Sequence, residues 1–167
     1  RINQYHFISL GSEDGNSPTC SSTSAFISNT QIAWLEEKLA ENYEKGRPIF
    51  VFLHQPLILN WGWGDIPGTN VSSNLNNIFS KYPEVILFNS HTHKHLTEEC
   101  INTNNGYTIV QTGAVSYTLF NNSDNTLSRD FSYTNGLLIT IKDNIVNIMG
   151  RDFKNHEWIF SKDIDFK

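Results

Sequence analysis

Residues 49–56 read Ile-Phe-Val-Phe-Leu-His-Gln-Pro. The first five side chains of this stretch are all apolar, without alternation between a buried face and a wet face. Such a run is typical of a central strand that is covered on both faces in an α/β sheet. A proline follows two residues after the histidine, so we expect the strand to stop and His54 to lie at its end.

A second apolar run, at residues 85–88, has the same character and ends in the same way. Asn-Ser-His-Thr-His follows it at residues 89–93. In open α/β sheets, ligands bind outside the carboxyl ends of the strands. If the two strands are parallel neighbours, His54, His91 and His93 meet at that edge. Imidazole is a common ligand of zinc, manganese and iron, so we expect these histidines to bind metal.

The spacing of the last two histidines leaves two arrangements open. In a fully extended segment, His91 and His93 point to the same side. A tight turn at Ser90 would instead let them serve two adjacent metal ions.

A helix is predicted before the first apolar run. Ser28 has the side chain of an N-cap, and Gln31 is placed to reach back to it in a capping box. We expect Trp34 to pack the helix onto the sheet and Gly46 to close the helix. The apolar stripe at helical spacing comprises Ile32, Leu35, Leu39 and Tyr43.

The remaining predicted elements divide the chain into two parts. A strand over residues 5–10 and a helix over residues 72–81 complete a strand–helix alternation, which indicates parallel pairing. Beyond residue 93 the pattern is that of an antiparallel meander. Its predicted parts are strands at 97–102 and 107–111 around an Asn-Asn-Gly turn, a polar loop at 121–129, strands at 137–142 and 145–151 around Asp143-Asn144, and a last strand at 157–161.

The composition bounds the possible functions. The 167 residues suffice for one compact domain or part of a larger one, and 38% are hydrophobic. A formal net charge of −5 argues against a sequence-independent nucleic-acid binder. It does not argue against a phosphate substrate, because a bound metal can supply positive charge locally. No apolar run approaches the roughly 20 residues that cross a bilayer.

The cysteines and the first residue bear on cellular context. Cys20 and Cys100 lack the spacing of zinc ligands, and they read as free thiols unless the compartment is oxidising. The chain begins at Arg1 with neither a methionine nor a signal peptide, so we read it as a segment of a longer protein. Both a cytoplasmic and an exported location remain open.

Together these motifs resemble the calcineurin-like metallophosphoesterase superfamily. Residues 50–56 are similar to the family's hydrophobic strand that ends in His-x-Pro, and residues 90–93 are similar to its Gly-His-x-His motif. Residues 31–36 resemble the family's Q-x-x-W-L helix. Residues 150–153, with Trp158 following, resemble the tail of its phosphohydrolase-like branch.

This resemblance implies a fold and a chemistry. Residues 1–167 would be one segment, the C-terminal half of a four-layer α/β/β/α sandwich, with parallel strands and two helices followed by an antiparallel meander. The reaction would be phosphoester hydrolysis by a metal-bridging hydroxide, with two divalent ions (Mn, Fe or Zn) in the full-length parent. His54 and His91 would bind the second ion, and His93 would bind the first.

The family also needs Asp-x-His, Gly-Asp-x-x-Asp and Asn-His motifs upstream, and none of them precedes His54. Those motifs supply the bridging carboxylate and the other ligands. We therefore expect this segment alone to be inactive, to hold one metal ion or none, and to carry no catalytic residue beyond its metal ligands. Ser90 stands where the family has glycine, which fits only if the turn does not need φ > 0 there.

Other side chains near the histidines could bind substrate. Trp61 and Trp63 follow the His54 motif, and they could either wall a substrate pocket or cover the core beneath the loop. His95 could contact substrate or be a solvated loop residue. Asp65 could add a carboxylate.

Three functions therefore remain open. The first is part of a metal-dependent phosphoester hydrolase, a phosphatase or a phosphodiesterase that acts on a small phosphoester. The alternative is a non-catalytic metallophosphoesterase-like binding or interaction module. The third is a mononuclear three-histidine zinc hydrolase with an open fourth position. Because a half sandwich leaves a sheet face or edge uncovered, we also expect self-association.

Overall fold

The computed structural model describes residues 2–13, 25–57, 69–124 and 126–166. This part of the chain contains two helices, a sheet with parallel strands and two antiparallel sheets. The elements are β1 (His6–Ser9), α1 (Asn29–Ala40), β2 (Ile49–Phe52), α2 (Thr69–Phe79), β3 (Val85–Asn89), a 3₁₀ turn (Glu98–Cys100), β4 (Ile101–Asn102), β5 (Thr108–Gln111), β6 (Thr118–Asn121), β7 (Leu127–Asp130), β8 (Asn135–Lys142), β9 (Ile145–Asp152) and β10 (Glu157–Asp165).

The first sheet has the strand order β1-β2-β3-β5-β4. Its first four strands are parallel, and only β4 runs antiparallel, against β5. The predicted parallel pairing is thereby confirmed. Phe50 in β2 lies beside Ile86 in β3, and Phe52 lies beside Phe88, so the carboxyl ends of the two apolar strands are level with each other.

Two hydrophobic cores explain why β2 and β3 are apolar on both faces. One face of the first sheet packs against α1 and α2, where Val51 and Leu87 meet Leu35, Leu39 and other helical side chains. The opposite face packs against β9 and β10. The buried members of that second core are Phe50, Ile86, Phe88, Val110, Val146, Ile148 and Ile164.

The antiparallel second sheet has the strand order β10-β9-β8. Strands β8 and β9 form the predicted hairpin, whose turn residues Asp143 and Asn144 have φ angles of 52° and 64°. Such left-handed conformations at both positions are typical of a two-residue turn that matches the twist of the strands.

The predicted polar loop at residues 121–129 is wrong in its second half, because β6 and β7 form a two-stranded hairpin there. The Asn122 side chain donates to Thr126 and Ser128, both at 2.8 Å. Asp124 accepts from the N–H of Thr126 at 3.0 Å. The polar residues that suggested a loop are thus the groups that close the hairpin.

The start of α1 is confirmed, but the partner of Gln31 differs from the prediction. Ser28 Oγ accepts from the N–H of Gln31 at 3.2 Å. The Gln31 side chain does not reach back to Ser28. It pairs instead with the backbone N–H and C=O of Gly11. The N–H of Ser28 donates to the carboxylate of Glu13 at 2.6 Å. This hydrogen bond, opposed by burial, lowers the pKa of Glu13.

Two further predictions for this helix are wrong. The helix ends at Ala40 rather than near Gly46, which lies in a later turn with a φ of 80°. Trp34 is 40% exposed, whereas Leu35 and Leu39 are fully buried. Trp34 is one residue away from that stripe, about 100° around the helix axis, and so it faces outward.

The described part of the chain is therefore a mixed α and β fold with parallel strands and two helices, followed by antiparallel strands. Neither of its helices is both long enough and apolar enough to cross a membrane.

Candidate functional site

The histidines that end the two apolar strands lie at the carboxyl edge of the first sheet. His54 comes two residues after the last residue of β2, and the segment from Ser90 to His93 follows β3 directly. The N–H of Ser90 donates to the carbonyl oxygen of His54 at 2.9 Å. The pairing of the two strands thus continues into the loops and draws their side chains together.

His54 and His91 are in direct contact. Nδ1 of His91 lies 3.1 Å from Nε2 of His54, and the rings meet nearly at right angles with centroids 5.0 Å apart. Two neutral imidazoles at this distance can share a hydrogen bond if one of them donates its N–H. In the other tautomers, both nitrogens are unprotonated, and their lone pairs are then available to a cation.

The spacing of this pair fits a shared metal ion. Ring nitrogens bound at 2.0–2.1 Å to one tetrahedral zinc ion lie about 3.3 Å from each other. The 3.1 Å between Nδ1 of His91 and Nε2 of His54 differs from that value by only a few tenths of an ångström. The separation of these two nitrogens is therefore close to that of two ligands of one ion.

His93 lies beside the pair with its tautomer fixed. Its Nδ1 lies 3.1 Å from the carbonyl oxygen of Tyr117. A carbonyl only accepts, so Nδ1 carries a proton, and in the neutral form of the ring Nε2 is the nitrogen with the lone pair. Metal-binding histidines usually have such a second-nitrogen partner. The rings of His93 and Tyr117 are tilted by 33° with centroids 4.4 Å apart, and the guanidinium of Arg129 lies over the Tyr117 ring, 4.5 Å from its centroid.

The loop after β3 is folded rather than extended. His91 and His93 have φ angles of 67° and 52°, in the left-handed region. The N–H of Thr92 donates to the carbonyl of Ser90 at 2.7 Å, which marks a tight turn. The positive φ angles fall on the histidines and not on Ser90. Serine therefore meets no backbone penalty at the position where the family has glycine.

Burial lowers the pKa of both paired histidines. For His54 the nearby His93 adds to this effect, and for His91 both His54 and His93 add to it. Each ring is therefore neutral at pH 7, and a neutral ring is the form that binds a metal ion.

Buried polar side chains beneath the histidines fix the two loops. Nδ2 of Asn89 donates to the carbonyl of Leu53 at 2.8 Å and to that of Gln55 at 3.1 Å. Thr92 donates to Oε1 of Gln111 at 3.3 Å. The sequence patterns above do not predict this set. Its signal is a polar residue at the last position of an apolar strand, since Asn89 ends β3 and Gln111 ends β5.

No group of three or more histidine, cysteine, aspartate or glutamate side chains within residues 2–13, 25–57, 69–124 and 126–166 converges as a metal cage. Two imidazoles converge, and the third histidine stands next to them with Nδ1 held by Tyr117. The site therefore offers two converging imidazoles, His54 and His91, with His93 beside them as a third candidate ligand.

The remaining candidates fall in different places. Trp61, Trp63, Asp65 and Cys20 lie outside the described residues. The His95 ring contacts the Tyr133 ring with centroids 4.2 Å apart and an angle of 50° between the planes, and Nδ1 of His95 is buried without a described partner. Cys100 is a buried free thiol that points to the carbonyl of His95 at 3.7 Å.

An Asn-His pair does occur late in the chain, at Asn155-His156, in the turn between β9 and β10. The Asn155 side chain donates to Asp152 at 2.7 Å and to the carbonyl of Ser132 at 3.1 Å. The Asn155 side chain thus stabilises the turn, and His156 is exposed.

An open apolar cleft of about 640 Å³ has His93 in its lining. One wall consists of stacked phenylalanines of the first sheet, and the other consists of aliphatic side chains of β8. Ser90, His93 and Asn135 also line it. The stacked rings are Phe7, Phe50, Phe52 and Phe88, and the aliphatic side chains are Leu137, Ile139 and Ile141.

No protein-family model matches this chain, and no curated protein matches it at a significant level.

Proposed function

We propose that this chain contributes histidine ligands to the metal centre of a metallophosphoesterase-like phosphoester hydrolase, as the C-terminal half of its sandwich domain. The observation that carries the proposal is the 3.1 Å separation of Nε2 of His54 and Nδ1 of His91 at the carboxyl edge of a parallel sheet. The motifs around these histidines have the order and spacing of the family's motifs, which supports the same assignment.

The chain's own residues would have distinct roles in such a centre. His54 and His91 would bind one divalent ion through the two nitrogens that already face each other. His93 would offer Nε2 to an adjacent ion while the Tyr117 carbonyl holds its Nδ1 proton. A divalent ion at this edge would supply Lewis acidity toward a phosphoryl oxygen and would lower the pKa of bound water.

The charge of an ion bound by these histidines would favour anionic groups at the same site. The three imidazoles are neutral ligands, so an ion bound by them alone keeps its full positive charge. The phosphate of a small phosphoester would compensate that charge, as would carboxylates supplied from elsewhere in a longer protein. For this reason we propose that the segment alone is inactive.

The test is a panel of phosphomonoesters and phosphodiesters assayed on the natural full-length protein with added Mn²⁺. We expect hydrolysis of at least one class, and a loss of about a hundredfold or more in His54→Ala and His91→Ala, because even the partners of metal ligands contribute 10–100-fold. His156→Ala, in an exposed turn, is the matched control and should keep full activity. Activity that survives both ligand changes would refute the proposal.

A second candidate is a non-catalytic module of the same family, retained for binding. The lack of a three-donor metal cage in the described residues favours it. If the full-length protein binds metal at the histidines but hydrolyses no phosphoester in the panel, this candidate replaces the first. One tightly held zinc ion per chain together with esterase activity would point instead to a mononuclear zinc hydrolase.

A further inference from the structure

Asparagine followed directly by glycine occurs at residues 105–106 and again at residues 135–136. This dipeptide is chemically labile, because glycine leaves the backbone nitrogen after the asparagine unhindered and conformationally free. That nitrogen can attack the side-chain amide and close a cyclic imide. The two sites share the same dipeptide but lie in different surroundings, so the structure decides which of them can react.

Asn105 and Gly106 lie in the connection between β4 and β5. Gly106 is exposed and has a φ of 78°. Its N–H forms no hydrogen bond with any described residue. Nδ2 of Asn105, the nitrogen that would leave, is buried without a partner in the described part of the chain. Hydrogen bonds from the described residues therefore restrain neither the attacking nitrogen nor the leaving nitrogen.

Asn135 and Gly136 begin β8, where the fold holds both of them. Asn135 is 1% exposed, and its Oδ1 accepts from the N–H of Leu96 at 3.0 Å. The N–H of Asn135 donates to the carbonyl of Ala114 at 2.8 Å. The ring of Phe153 covers Gly136, since a Cβ on this glycine would lie 2.7 Å from Cε2 of that ring. The side-chain amide of Asn135 is thus fixed in a packed site.

The backbone nitrogen of Gly136 is also occupied, in the ladder between β8 and β9. In a two-residue hairpin, the residues that flank the turn form a hydrogen-bonded pair, and Lys142 and Ile145 are that pair here. Every second residue before Lys142 therefore bonds to β9, and this set includes Gly136. Thr134, at the next such position, accepts from the N–H of Phe153 at 2.7 Å, in agreement with this pattern. Attack by the Gly136 nitrogen requires this part of the sheet to open.

We propose that Asn105 is a site of spontaneous deamidation in the folded protein and that the fold protects Asn135. The backbone nitrogen of Gly106 loses its proton and attacks Cγ of Asn105. A bond from this nitrogen to Cγ forms, the bond from Cγ to Nδ2 breaks, and ammonia leaves. Water then opens the cyclic imide at either carbonyl and yields aspartate or isoaspartate. The net reaction consumes one water and releases one ammonia, and it needs no oxidant or reductant.

The modification adds a negative charge at the amino end of β5, at the sheet edge opposite the histidines. Strand β5 is parallel to β3, whose carboxyl end leads to His91 and His93. Gly106 lines a polar cleft of about 880 Å³, and Lys45 and Lys162 line the same cleft. Isoaspartate also places the β-carbon of residue 105 in the main chain of the turn. The reaction therefore alters that cleft and does not depend on the proposed metal centre.

Incubation of the purified chain at mildly alkaline pH, followed by peptide mass spectrometry, tests the proposal. Mass distinguishes the asparagine peptide from its acid products, and chromatography separates aspartate from isoaspartate. We expect Asn105 to be converted at least about tenfold faster than Asn135 in the folded chain, because Asn135 reacts only after local opening. In guanidinium, which unfolds the chain, both sites should react at similar rates because their surroundings are then alike.

Asn105→Gln is the matched variant, since glutamine keeps an amide but must close a larger and less favourable ring. It should lose the fast reaction at residue 105, and circular dichroism confirms that it is folded. Equal rates at Asn105 and Asn135 in the folded chain would overturn the proposal. So would an Asn105 that stays intact in the folded chain while the unfolded chain reacts, or acid product at residue 105 that forms as fast in Asn105→Gln as in wild type.

Discussion

Nδ1 of His91 lies 3.1 Å from Nε2 of His54, although 37 residues separate the two histidines in the chain. The contact arises because β2 and β3 are parallel and end level with each other. Beyond the strands, the hydrogen bond from the N–H of Ser90 to the carbonyl of His54 keeps the two loops side by side. Because burial keeps both rings neutral, the contact is suited to a cation shared by two lone pairs.

The first prediction concerns metal binding by this pair. Titration of the chain with Co²⁺, followed by visible absorption, should show a site with nitrogen ligands. His54→Ala and His91→Ala should each weaken it by at least about tenfold, because one of two converging ligands is lost. His156→Ala should leave the titration unchanged. Equal affinity in all four proteins would show that the metal binds elsewhere.

The second prediction concerns Asn89, which holds the two histidine loops together. In Asn89→Leu the carbonyls of Leu53 and Gln55 lose their buried donor, which costs about 1–3 kcal/mol of the free energy of unfolding. Urea unfolding measures this cost. Asn104→Ala, in an exposed turn, should change the free energy by no more than about 0.5 kcal/mol. If Asn89→Leu matches this control, the two hydrogen bonds contribute nothing to stability.

The third prediction concerns Gly113, which lines the cleft. Its φ is 74°, and a Cβ there would lie 2.8 Å from Cγ of Leu96 and 2.9 Å from Cβ of Asn135. Gly113→Ala should therefore destabilise the fold by about 2 kcal/mol or more, through backbone strain and overpacking together.

Gly11 supplies the matched control for that change. A Cβ at Gly11 would meet no atom within 4 Å, and its φ is not in the left-handed region. Gly11→Ala should be neutral or slightly stabilising. Thermal unfolding measures the melting temperatures of Gly113→Ala and Gly11→Ala, and equal values would refute the strain argument.

The fourth prediction concerns acid stability and Asp152. Burial by itself would raise the pKa of this carboxyl, but hydrogen bonds from Asn155, Thr134 and Lys154 outweigh burial and lower it below the ordinary 3.8. A carboxyl whose pKa is lowered by folding stabilises the native state above its unfolded pKa. That contribution is present above about pH 4 and is lost as pH falls through the lower, folded pKa.

The variant Asp152→Asn tests this directly. It should be less stable than wild type at neutral pH, and the difference should shrink as pH falls below about 4, because wild type loses its advantage there. Denaturant unfolding over a pH series measures the difference. A gap that stays constant with pH would show that the ionised carboxylate is not the stabilising form. Asp163→Asn changes a carboxylate that is exposed on β10, and its stability over the same pH series is a suitable comparison.

The main elements were predictable because their signals are local. The apolar runs before His54 and Asn89, and the Asp143-Asn144 turn, each fix their own conformation through burial or backbone preference. The polar hairpin of β6 and β7 was not predictable in this way, because its side chains bond across a turn rather than bury a face. Trp34 is a different case, since its exposure follows from its position one residue off the apolar stripe of α1, which the sequence already contains.

For the candidate site, the sequence determined which side chains stand at the ends of the two buried strands, and therefore that His54 and His91 share one sheet edge. Periodicity and strand breakers suffice for that. Only the tertiary structure shows that Nε2 of one faces Nδ1 of the other and that the Tyr117 carbonyl accepts a hydrogen bond from His93. Such features depend on rotamers, left-handed φ angles and contacts between distant segments, which a linear pattern does not encode.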